Sequence, residues 1–327
     1  MLKVTLLGAG SHSEAVHGPA LAHYVGQHPG VMELAAVCDV REERARLFCE
    51  RFSFRRCYTD FEEMLDKEKP DACWVVVPID ATRALAGQVM ELGIPTLFEK
   101  PPGRGLREAE ELAEISQRTG TPNMVAFNRR WAPCTVKALS WFSELGPIDY
   151  LYARMLRGQR MDERFAFGTG IHLLDCVRVL AAATAGGLAS ARTIKTESAS
   201  RAFNFHVELV LQSGARGRCD ILPTSGIVDE SYALFAGRKS VAFTLPWVAW
   251  PDIKVDGKAE LWVDGNLADS ESWPVEPTFL SGGFYGEAEE FLAALCEGRM
   301  PSPSAHEALE SVALAEAAQE GRELSFE

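Results

Sequence analysis

The first 122 residues of this 327-residue chain alternate short apolar runs with segments of helical spacing. The apolar runs are Val4–Leu7, Leu34–Cys38, Cys73–Val77 and Thr96–Phe98, and the helical segments between them are Glu14–Gly26, Glu42–Phe52, Ala81–Leu92 and Leu106–Arg118. Continuous apolar runs of this length are typical of strands buried on both faces. Because helices separate consecutive strands, right-handed crossovers are expected. The pattern predicts an α/β Rossmann domain, residues 1–122, with a doubly wound parallel sheet.

The pattern changes after Pro122, where we place a domain boundary. Beyond a helix predicted at Gly170–Ala183, strand-like stretches follow one another through short glycine turns, without helices between them. Such a succession indicates antiparallel pairing. We predict that residues 123–327 form an α+β domain with a large mixed, mostly antiparallel sheet. Whether the closing helices, which begin near Phe284, pack back on the first domain stays open.

Composition and charge exclude several classes of partner. The net charge of −13 leaves no basic surplus to neutralise phosphates, so we predict no nucleic-acid partner and no anionic membrane surface. No apolar run approaches the roughly twenty residues of a membrane span. The N-terminal apolar run is too short for an export signal, so we expect a cytoplasmic protein with reduced thiols. The eight cysteines contain no Cys-x-x-Cys pair, and no metal site is predicted.

A glycine turn, Gly8–Ser13, follows the first strand and opens a helix. Glycines at this place allow close backbone approach, so that amide groups and the helix N-terminus hold a pyrophosphate. The predicted cofactor contacts in the turn are Gly8, Gly10, Ser11, His12 and Ser13. Ser13 stands where the dinucleotide fingerprint has its third glycine. An ordinary glycine turn is the alternative reading of this motif.

Two further strand ends extend the predicted cofactor site. Asp39 ends the second strand, where an acid binds the ribose hydroxyls of NAD and repels the 2′-phosphate of NADP. We therefore predict NAD, whereas Arg41 and Arg44 keep NADP open because either can pair with a phosphate. Pro78 follows the third apolar run and is expected to line the nicotinamide side.

Lys100 lies at the end of the fourth apolar run, within Glu99-Lys100-Pro101. Burial and neighbouring charges lower the pKa of a lysine toward working pH, so a lysine at this edge of the sheet is suited to proton transfer beside a nicotinamide. A surface lysine before a proline-rich turn is the alternative.

Taken together, the motifs resemble those of the Gfo/Idh/MocA oxidoreductases. The matching segments are Gly8–Ser13, Cys38-Asp39, Glu99-Lys100-Pro101, Phe127-Asn128-Arg129-Arg130-Trp131 and Gly170-Ile171-His172-Leu173-Leu174-Asp175. The resemblance covers most of the chain in the expected order. It implies hydride transfer between a nicotinamide and a hydroxyl of a sugar, cyclitol or related compound. It also implies an open sheet face in the second domain, often used for oligomerisation, and we expect a homodimer or homotetramer.

The resemblance also implies roles for individual residues. Lys100 becomes the active-site lysine and His172 the histidine that assists proton transfer or binds the reacting hydroxyl. Glu99 is expected either to orient the backbone or to lie near the nicotinamide, with a solvated strand-end acid as the alternative. Asp175 either binds substrate hydroxyls or orients His172, with which it shares a helix face.

One position departs from the family pattern. Many members carry an aspartate four residues before the active-site histidine, and this chain has Gly168 there. Glycine offers no proton acceptor, so the lysine–aspartate–histidine set is incomplete. Asp162 and Glu163 lie just upstream as substitutes.

The remaining substrate candidates are mostly basic. Asn128 and Arg129 follow a strand end, and Arg157 follows the next strand, with Arg154 on the opposite face. Two or three arginines facing one cavity suit an acidic sugar or a phosphate group, although surface charge is the preferred interpretation for most of them. Trp247, Trp250 and Trp273 are candidates to stack on a sugar ring, with core packing as the alternative.

Three hypotheses about function follow. The first is an NAD(P)-dependent oxidoreductase acting on a small-molecule sugar, sugar acid or cyclitol. The second is an NAD-retaining glycoside hydrolase or lyase that oxidises its substrate transiently. The third is a catalytically impaired relative that binds nucleotide or sugar, which the absence of an aspartate at Gly168 motivates.

Overall fold

The computed structural model describes residues 1–249 and 253–326. These residues form two compact units. The first unit comprises Met1–Phe127 together with Phe284–Leu309, and the second comprises Asn128–Gly283 together with the segment from Glu310 onward. Trp250, one of the predicted stacking candidates, lies outside the described residues.

Six parallel strands form the sheet of the first unit. They are β1 (Leu2–Leu7), β2 (Met32–Cys38), β3 (Arg56–Tyr58), β4 (Ala72–Val75), β5 (Thr96–Glu99) and β6 (Asn123–Ala126). Their order across the sheet is β3-β2-β1-β4-β5-β6. The winding reverses at β1, so a crevice forms between the carboxyl ends of β1 and β4. The predicted doubly wound parallel sheet is confirmed.

Helices alternate with these strands. They are α1 (Gly18–Gln27), α2 (Glu42–Phe52), α3 (Phe61–Glu68), α4 (Ile79–Glu91) and α5 (Leu106–Thr119). A π-helical turn, Ser13–His17, precedes α1. Such turns insert a residue into a helix and frequently occur at functional sites. Here the turn joins the glycine motif to the first helix.

The parallel sheet continues past the boundary that we predicted at residue 122. β6 pairs in parallel with β5 and is buried along its whole length. A strand buried on both faces belongs inside a sheet covered by helices. The first compact unit therefore includes β6, and its first chain segment ends at Phe127.

Nine strands form the large sheet of the second unit, and two more form a small ribbon. They are β7 (Tyr150–Leu156), β8 (Leu188–Glu197), β9 (Phe203–Leu211), β10 (Arg216–Leu222), β11 (Asp229–Ala236), β12 (Lys239–Thr244), β13 (Trp247–Ala249), β14 (Ile253–Val255), β15 (Gly257–Val263), β16 (Asn266–Trp273) and β17 (Glu323–Ser325). The large sheet has the order β16-β15-β12-β11-β7-β10-β9-β8-β17, and β13 pairs with β14. Within it β7 and β10 run parallel, and the other neighbouring strands are antiparallel. The predicted mixed, mostly antiparallel sheet is confirmed.

Helices of the second half complete both units. They are α6 (Pro133–Ser140), α7 (Phe142–Leu145), α8 (Ile171–Ala185), α9 (Thr278–Ser281), α10 (Phe284–Glu297) and α11 (Ala305–Glu320). α10 belongs to the first unit, and the division between the units falls within α11. A 3-10 turn, Asn128–Trp131, and a π-helical turn, Ala166–Gly170, precede α6 and α8.

The large sheet buries one face. Along β7 and β11 buried residues alternate with exposed or half-buried ones, and helices α6 and α8 contact the sheet on the buried side. The segment Ala166–Ala185 is apolar and long enough to cross a membrane. However, 67% of its most apolar stretch is buried within the protein. That burial is typical of a core helix in a globular unit.

Candidate functional site

The glycine turn begins at a residue that admits no side chain. Gly8 has φ +101°, and a Cβ placed on it would lie 2.1 Å from the carbonyl oxygen of Val76. The end of β1 therefore lies directly against the residue that follows β4. At Gly10, by contrast, a Cβ would meet no heavy atom within 4 Å. Gly8 is needed for the close approach of two chain segments, whereas Gly10 leaves space beside the backbone, as a bound pyrophosphate requires.

Ser13 closes the glycine turn. Its hydroxyl donates a hydrogen bond to the carbonyl oxygen of Gly8, and the residue is fully buried. A serine thus takes the place of the third fingerprint glycine and adds a contact within the turn. Ser11 lies between Gly8 and Ser13, at the start of the helical segment that follows the turn.

Asp39 connects the end of β2 to the glycine turn. Its Oδ2 accepts a hydrogen bond from the backbone N–H of Ala9 at 3.0 Å, and its Oδ1 accepts one from the N–H of Arg41 at 2.9 Å. Each carboxylate oxygen has two lone pairs, so the buried carboxylate retains capacity for a ribose hydroxyl. The Arg41 side chain is mostly exposed, with its Nε 3.5 Å from Asp39.

The crevice between β1 and β4 is completed by Pro78. This residue is exposed, follows β4 and occupies the N-cap of α4. It therefore stands at the carboxyl edge of the sheet, as predicted. Its contact with a nicotinamide stays a prediction.

Glu99 is the centre of a cluster with two histidines, in which Glu99 and His17 are buried and His12 is exposed. Its Oε1 lies 3.0 Å from His12 Nε2 and 2.8 Å from His17 Nε2. The ring of Phe284 packs edge-on against both imidazoles, at centroid distances of 5.6 and 5.9 Å. We call His12, His17 and Glu99 the His–Glu cluster. It joins the glycine turn to the end of β5.

Burial and charge act in opposite directions on the cluster. Burial raises the pKa of Glu99, but His12 and His17 together outweigh it, so the pKa lies well below its ordinary value. For His17, burial lowers the pKa and its hydrogen bond to Glu99 only partly offsets that effect. A carboxylate and a neutral buried imidazole are the expected states near pH 7.

Lys100 follows the His–Glu cluster directly. It is half-buried, and its backbone N–H donates to Oε2 of Glu99 at 3.1 Å. The Lys100–Pro101 peptide bond is cis. Glu99 therefore fixes the backbone of Lys100 at the edge that carries the glycine turn.

Sequence reasoning missed His17. Its spacing of five residues from His12 matches one face of a helix only when a π-turn is inserted.

His172 and Asp175 lie in the first turn of α8. Both are buried, and Asp175 is fully inaccessible to solvent. The Asp175 carboxylate accepts hydrogen bonds from Nε and Nη2 of Arg130 at 2.8 and 2.6 Å and from the hydroxyl of Ser311 at 2.7 Å. These contacts hold the start of α8 in place. Substrate binding by Asp175 stays a prediction, as does the role of His172.

Arg129 and Arg157 converge on one buried acid. Glu230, at 0% side-chain exposure, lies 3.3 Å from Arg129 Nε and accepts from Arg157 Nη2. The guanidinium of Arg157 stacks on Trp247, with its carbon 3.9 Å from the ring centroid. Burial raises the pKa of Glu230, but the two arginines overcome this and lower it. We call Arg129, Arg157 and Glu230 the arginine cluster; its formal charge is +1.

The other candidates of the second unit are engaged locally. Asn128 donates from Nδ2 to the carbonyl of Gly282 at 2.7 Å and accepts from Arg129 Nη1 at 3.0 Å. Arg154 pairs with Asp229 and is more exposed than Arg157, as alternation along the strand predicted. Trp273 ends β16 and is half-buried.

Gly168 lies in the π-helical turn before α8. A Cβ built on this glycine would meet no heavy atom within 4 Å, and its φ is not positive. Space for a side-chain Cβ is therefore present four residues before His172, where the chain supplies no carboxylate.

The structure thus groups the predicted residues within each unit. In the first unit, the glycine turn, Asp39, Glu99 and Lys100 share the carboxyl edge of the sheet. In the second, Asn128 and the arginine cluster adjoin, while His172 and Asp175 share α8. Lys100 and His172 belong to different units.

A six-stranded parallel sheet in this order, with a glycine turn after β1 and a buried acid after β2, defines a dinucleotide-binding Rossmann domain. Residues 2–127 match the family model GFO_IDH_MocA, which is described as an oxidoreductase family with an NAD-binding Rossmann fold. The first part of the chain, residues 2–127, therefore matches the Gfo/Idh/MocA oxidoreductase family that its motifs predicted.

Several characterised and solved proteins are similar to this chain. It is 28% identical to D-glucoside 3-dehydrogenase of Escherichia coli (strain K12) over 158 residues, which is 48% of this chain and 44% of that protein. It is 25% identical to D-apiose dehydrogenase of Rhizobium rhizogenes over 268 residues, 76% of this chain and 69% of the relative. A Gfo/Idh/MocA family oxidoreductase from Vibrio cholerae shares the fold, with a TM-score of 0.79 at 22% identity and 98% of each chain covered. The match to the Escherichia coli protein thus spans less than half of that relative.

Proposed function

We propose that the protein is an NAD-dependent oxidoreductase that transfers a hydride between nicotinamide and a hydroxyl or ketone of a sugar, sugar acid or cyclitol. The observation that carries the proposal is the contact of Glu99 with His12. It ties the end of β5, and hence Lys100, to the glycine turn of a dinucleotide-binding sheet. A lysine at that edge is positioned for carbonyl–alcohol chemistry.

The chemistry divides between cofactor and chain. When bound, the nicotinamide accepts or returns the hydride. Lys100 in its neutral form accepts the proton of the substrate hydroxyl during oxidation, and as an ammonium it donates that proton during reduction. The resemblance gives His172 the role of assisting proton transfer or binding the reacting hydroxyl. A positioned proton carrier contributes about 10²–10⁴ in rate.

The cofactor contacts that we propose favour NAD over NADP. The carboxylate of Asp39 stands at the end of β2, where it accepts from ribose hydroxyls and repels a 2′-phosphate. The Nε of Arg41 lies 3.5 Å from Oδ1 of Asp39. Gly8, Gly10, Ser11, His12 and Ser13 hold the pyrophosphate through the turn, and Pro78 lines the nicotinamide side.

We propose a small sugar-like substrate, and the arginine cluster favours one that carries an acid. Its two guanidiniums face one carboxylate, which leaves a positive charge beside Asn128. The names of the two relatives, a glucoside and an apiose dehydrogenase, support a carbohydrate. We also propose a cytoplasmic location, which the eight free cysteines support.

The test is reduction of NAD or NADP across a panel of sugars, sugar acids and cyclitols. We expect turnover with NAD on a member of the panel and a loss of about 10²–10⁴ in kcat for Lys100→Ala. Lys67→Ala, at an exposed lysine of α3, is the matched control and should keep full activity. Undiminished kcat in Lys100→Ala would remove the role of this lysine.

A second candidate is an NAD-retaining hydrolase or lyase, and the environment of Gly168 favours it. A Cβ at this position meets no heavy atom within 4 Å, yet the chain carries glycine, so its proton path differs from the family pattern. Release of a leaving group from a glycoside without net formation of NADH would support this candidate. Tight NAD binding without turnover on any substrate would instead indicate an impaired binding protein.

A further inference from the structure

The His–Glu cluster brings three potential metal ligands together within the first unit. His12 and His17 come from the turn after β1, and Glu99 comes from the end of β5. One ligand atom of each residue lies within 4.8 Å of the others. We propose that His12, His17 and Glu99 form a binding site for one divalent metal ion of the zinc class.

The donor set determines which ions suit the site. Two imidazole nitrogens and one carboxylate oxygen are a set that Zn²⁺ takes in sites with an open fourth position. Imidazole also suits cobalt, nickel and copper ions, whereas magnesium and calcium require mainly oxygen ligands. The site should therefore select Zn²⁺ and Co²⁺ over Mg²⁺ and Ca²⁺.

The observed distances are close to those of a bound site. With metal–ligand distances of about 2.1 Å, ligand atoms at the corners of a tetrahedron lie about 3.4 Å apart. The Nε2–Oε1 distances are 2.8 and 3.0 Å, so the ligands must separate by about half an ångström. The side chain of His12 is 49% exposed, which leaves it room to move and gives an ion access from solvent.

The surroundings of the cluster orient its ligands. The backbone N–H of Lys100 donates to Oε2 of Glu99, which leaves Oε1 directed at both imidazoles. Phe284 packs against both histidine rings. Partners of this kind fix the direction of metal ligands and strengthen binding. An ion in the cluster replaces the two hydrogen bonds to Oε1 and links the turn after β1 to the end of β5.

The experiment is a titration of the full-length, chelator-treated protein with Co²⁺, followed by visible absorption and then by Zn²⁺ competition. We expect one Co²⁺ per chain, displaced by Zn²⁺ and not by an excess of Mg²⁺. Glu99→Gln keeps the size of the side chain, and His12→Asn changes a half-exposed residue. Each should weaken Co²⁺ binding more than about a hundredfold, because each removes a ligand.

A second histidine–glutamate pair of the first unit supplies the control. His28 and Glu289 lie 3.9 Å apart at the surface, and their variants His28→Asn and Glu289→Gln should bind Co²⁺ as the parent does. Absence of saturable uptake, or unchanged affinity in His12→Asn, would overturn the proposal and leave a hydrogen-bonded cluster only. The readout needs no NAD turnover, so its failure is distinguishable from failure of the proposed function.

Discussion

Glu99, Asp175 and Glu230 are three of the buried carboxylates in the described part of the chain, and each is matched by hydrogen-bond donors. Glu99 is hydrogen-bonded to two imidazoles, Asp175 pairs with Arg130 and a hydroxyl, and Glu230 pairs with two guanidiniums. An unpaired charge in these positions would be strongly unfavourable. Removal of one partner is therefore costly, because it leaves the other buried without compensation.

Glu230→Gln should lower the free energy of unfolding of the protein by about 3–5 kcal/mol at pH 7. The substitution keeps the shape but leaves the buried Arg157 without its carboxylate. Urea denaturation followed by circular dichroism measures the effect. Glu208→Gln, at an exposed position of β9, is the matched control and should change stability little.

The same pair of variants tests the pH dependence. The folded-state pKa of Glu230 is lowered, so the carboxylate stabilises the protein above its unfolded value of about 4.3. That stabilisation is lost as pH falls through the folded pKa, because the unfolded chain binds the proton first. The difference in the free energy of unfolding between wild type and Glu230→Gln should therefore become smaller below about pH 4. A gap that stays constant would contradict this role.

Gly168→Asp should restore a proton acceptor four residues before His172. The added side chain meets no atom at Cβ, so we expect little change in the urea midpoint. If the altered proton path limits turnover, kcat of the proposed oxidation should rise about tenfold or more. Gly168→Asn has the same size without the charge, and equal kcat in the two variants would refute a relay through this position.

At the scale of elements, the packing of α1 on α2 depends on a glycine. A Cβ on Gly18 would lie 2.6 Å from the ring of Phe52 and 2.9 Å from that of Phe48. Helix α1 therefore approaches α2 more closely than a side chain would permit. This contact fixes the helix that follows the glycine turn.

Gly18→Ala should destabilise the protein by about 1–3 kcal/mol, because the added methyl group overpacks the contact with α2. Gly26→Ala, in the same helix, meets no atom within 4 Å and should stabilise by up to about 1 kcal/mol. Thermal unfolding of both variants separates packing from helix propensity. Equal effects of the two substitutions would show that the close approach is unimportant.

The elements that the sequence predicted are those with a strong apolar signal. β1, β2, β4 and β5 are runs of buried residues and were all predicted. β3 and β16 were not, because their residues are mostly exposed and show no apolar alternation. β17 is three residues long and acquires its place through pairing with β8, which is distant in sequence.

At the scale of the whole molecule, the open face of the large sheet carries exposed apolar side chains. Tyr150 and Phe235 are paired across β7 and β11, and Ile194 and Trp262 lie on β8 and β15. Exposed apolar residues grouped on one face mark an interaction surface. They support the homodimer or homotetramer that the resemblance implies.

Phe235→Glu should shift the protein toward monomer, because it places a charge in that face. Light scattering coupled to size-exclusion chromatography measures the mass. Leu92→Glu, at an exposed leucine of the first unit, is the control and should leave the mass unchanged. A wild-type protein that is monomeric at all concentrations would rule out this use of the face.

The sequence by itself determined the strand–helix alternation, the glycine turn and the acid and lysine at strand ends, because these signals are local and periodic. Only the tertiary structure decided which charges meet. His17 reaches Glu99 because a π-helical turn follows the glycine turn. Glu230 pairs with Arg129 and Arg157, and Asp175 pairs with Arg130. Such partners lie far apart along the chain, and their pairing is set by the strand order and the packing of helices on the sheets.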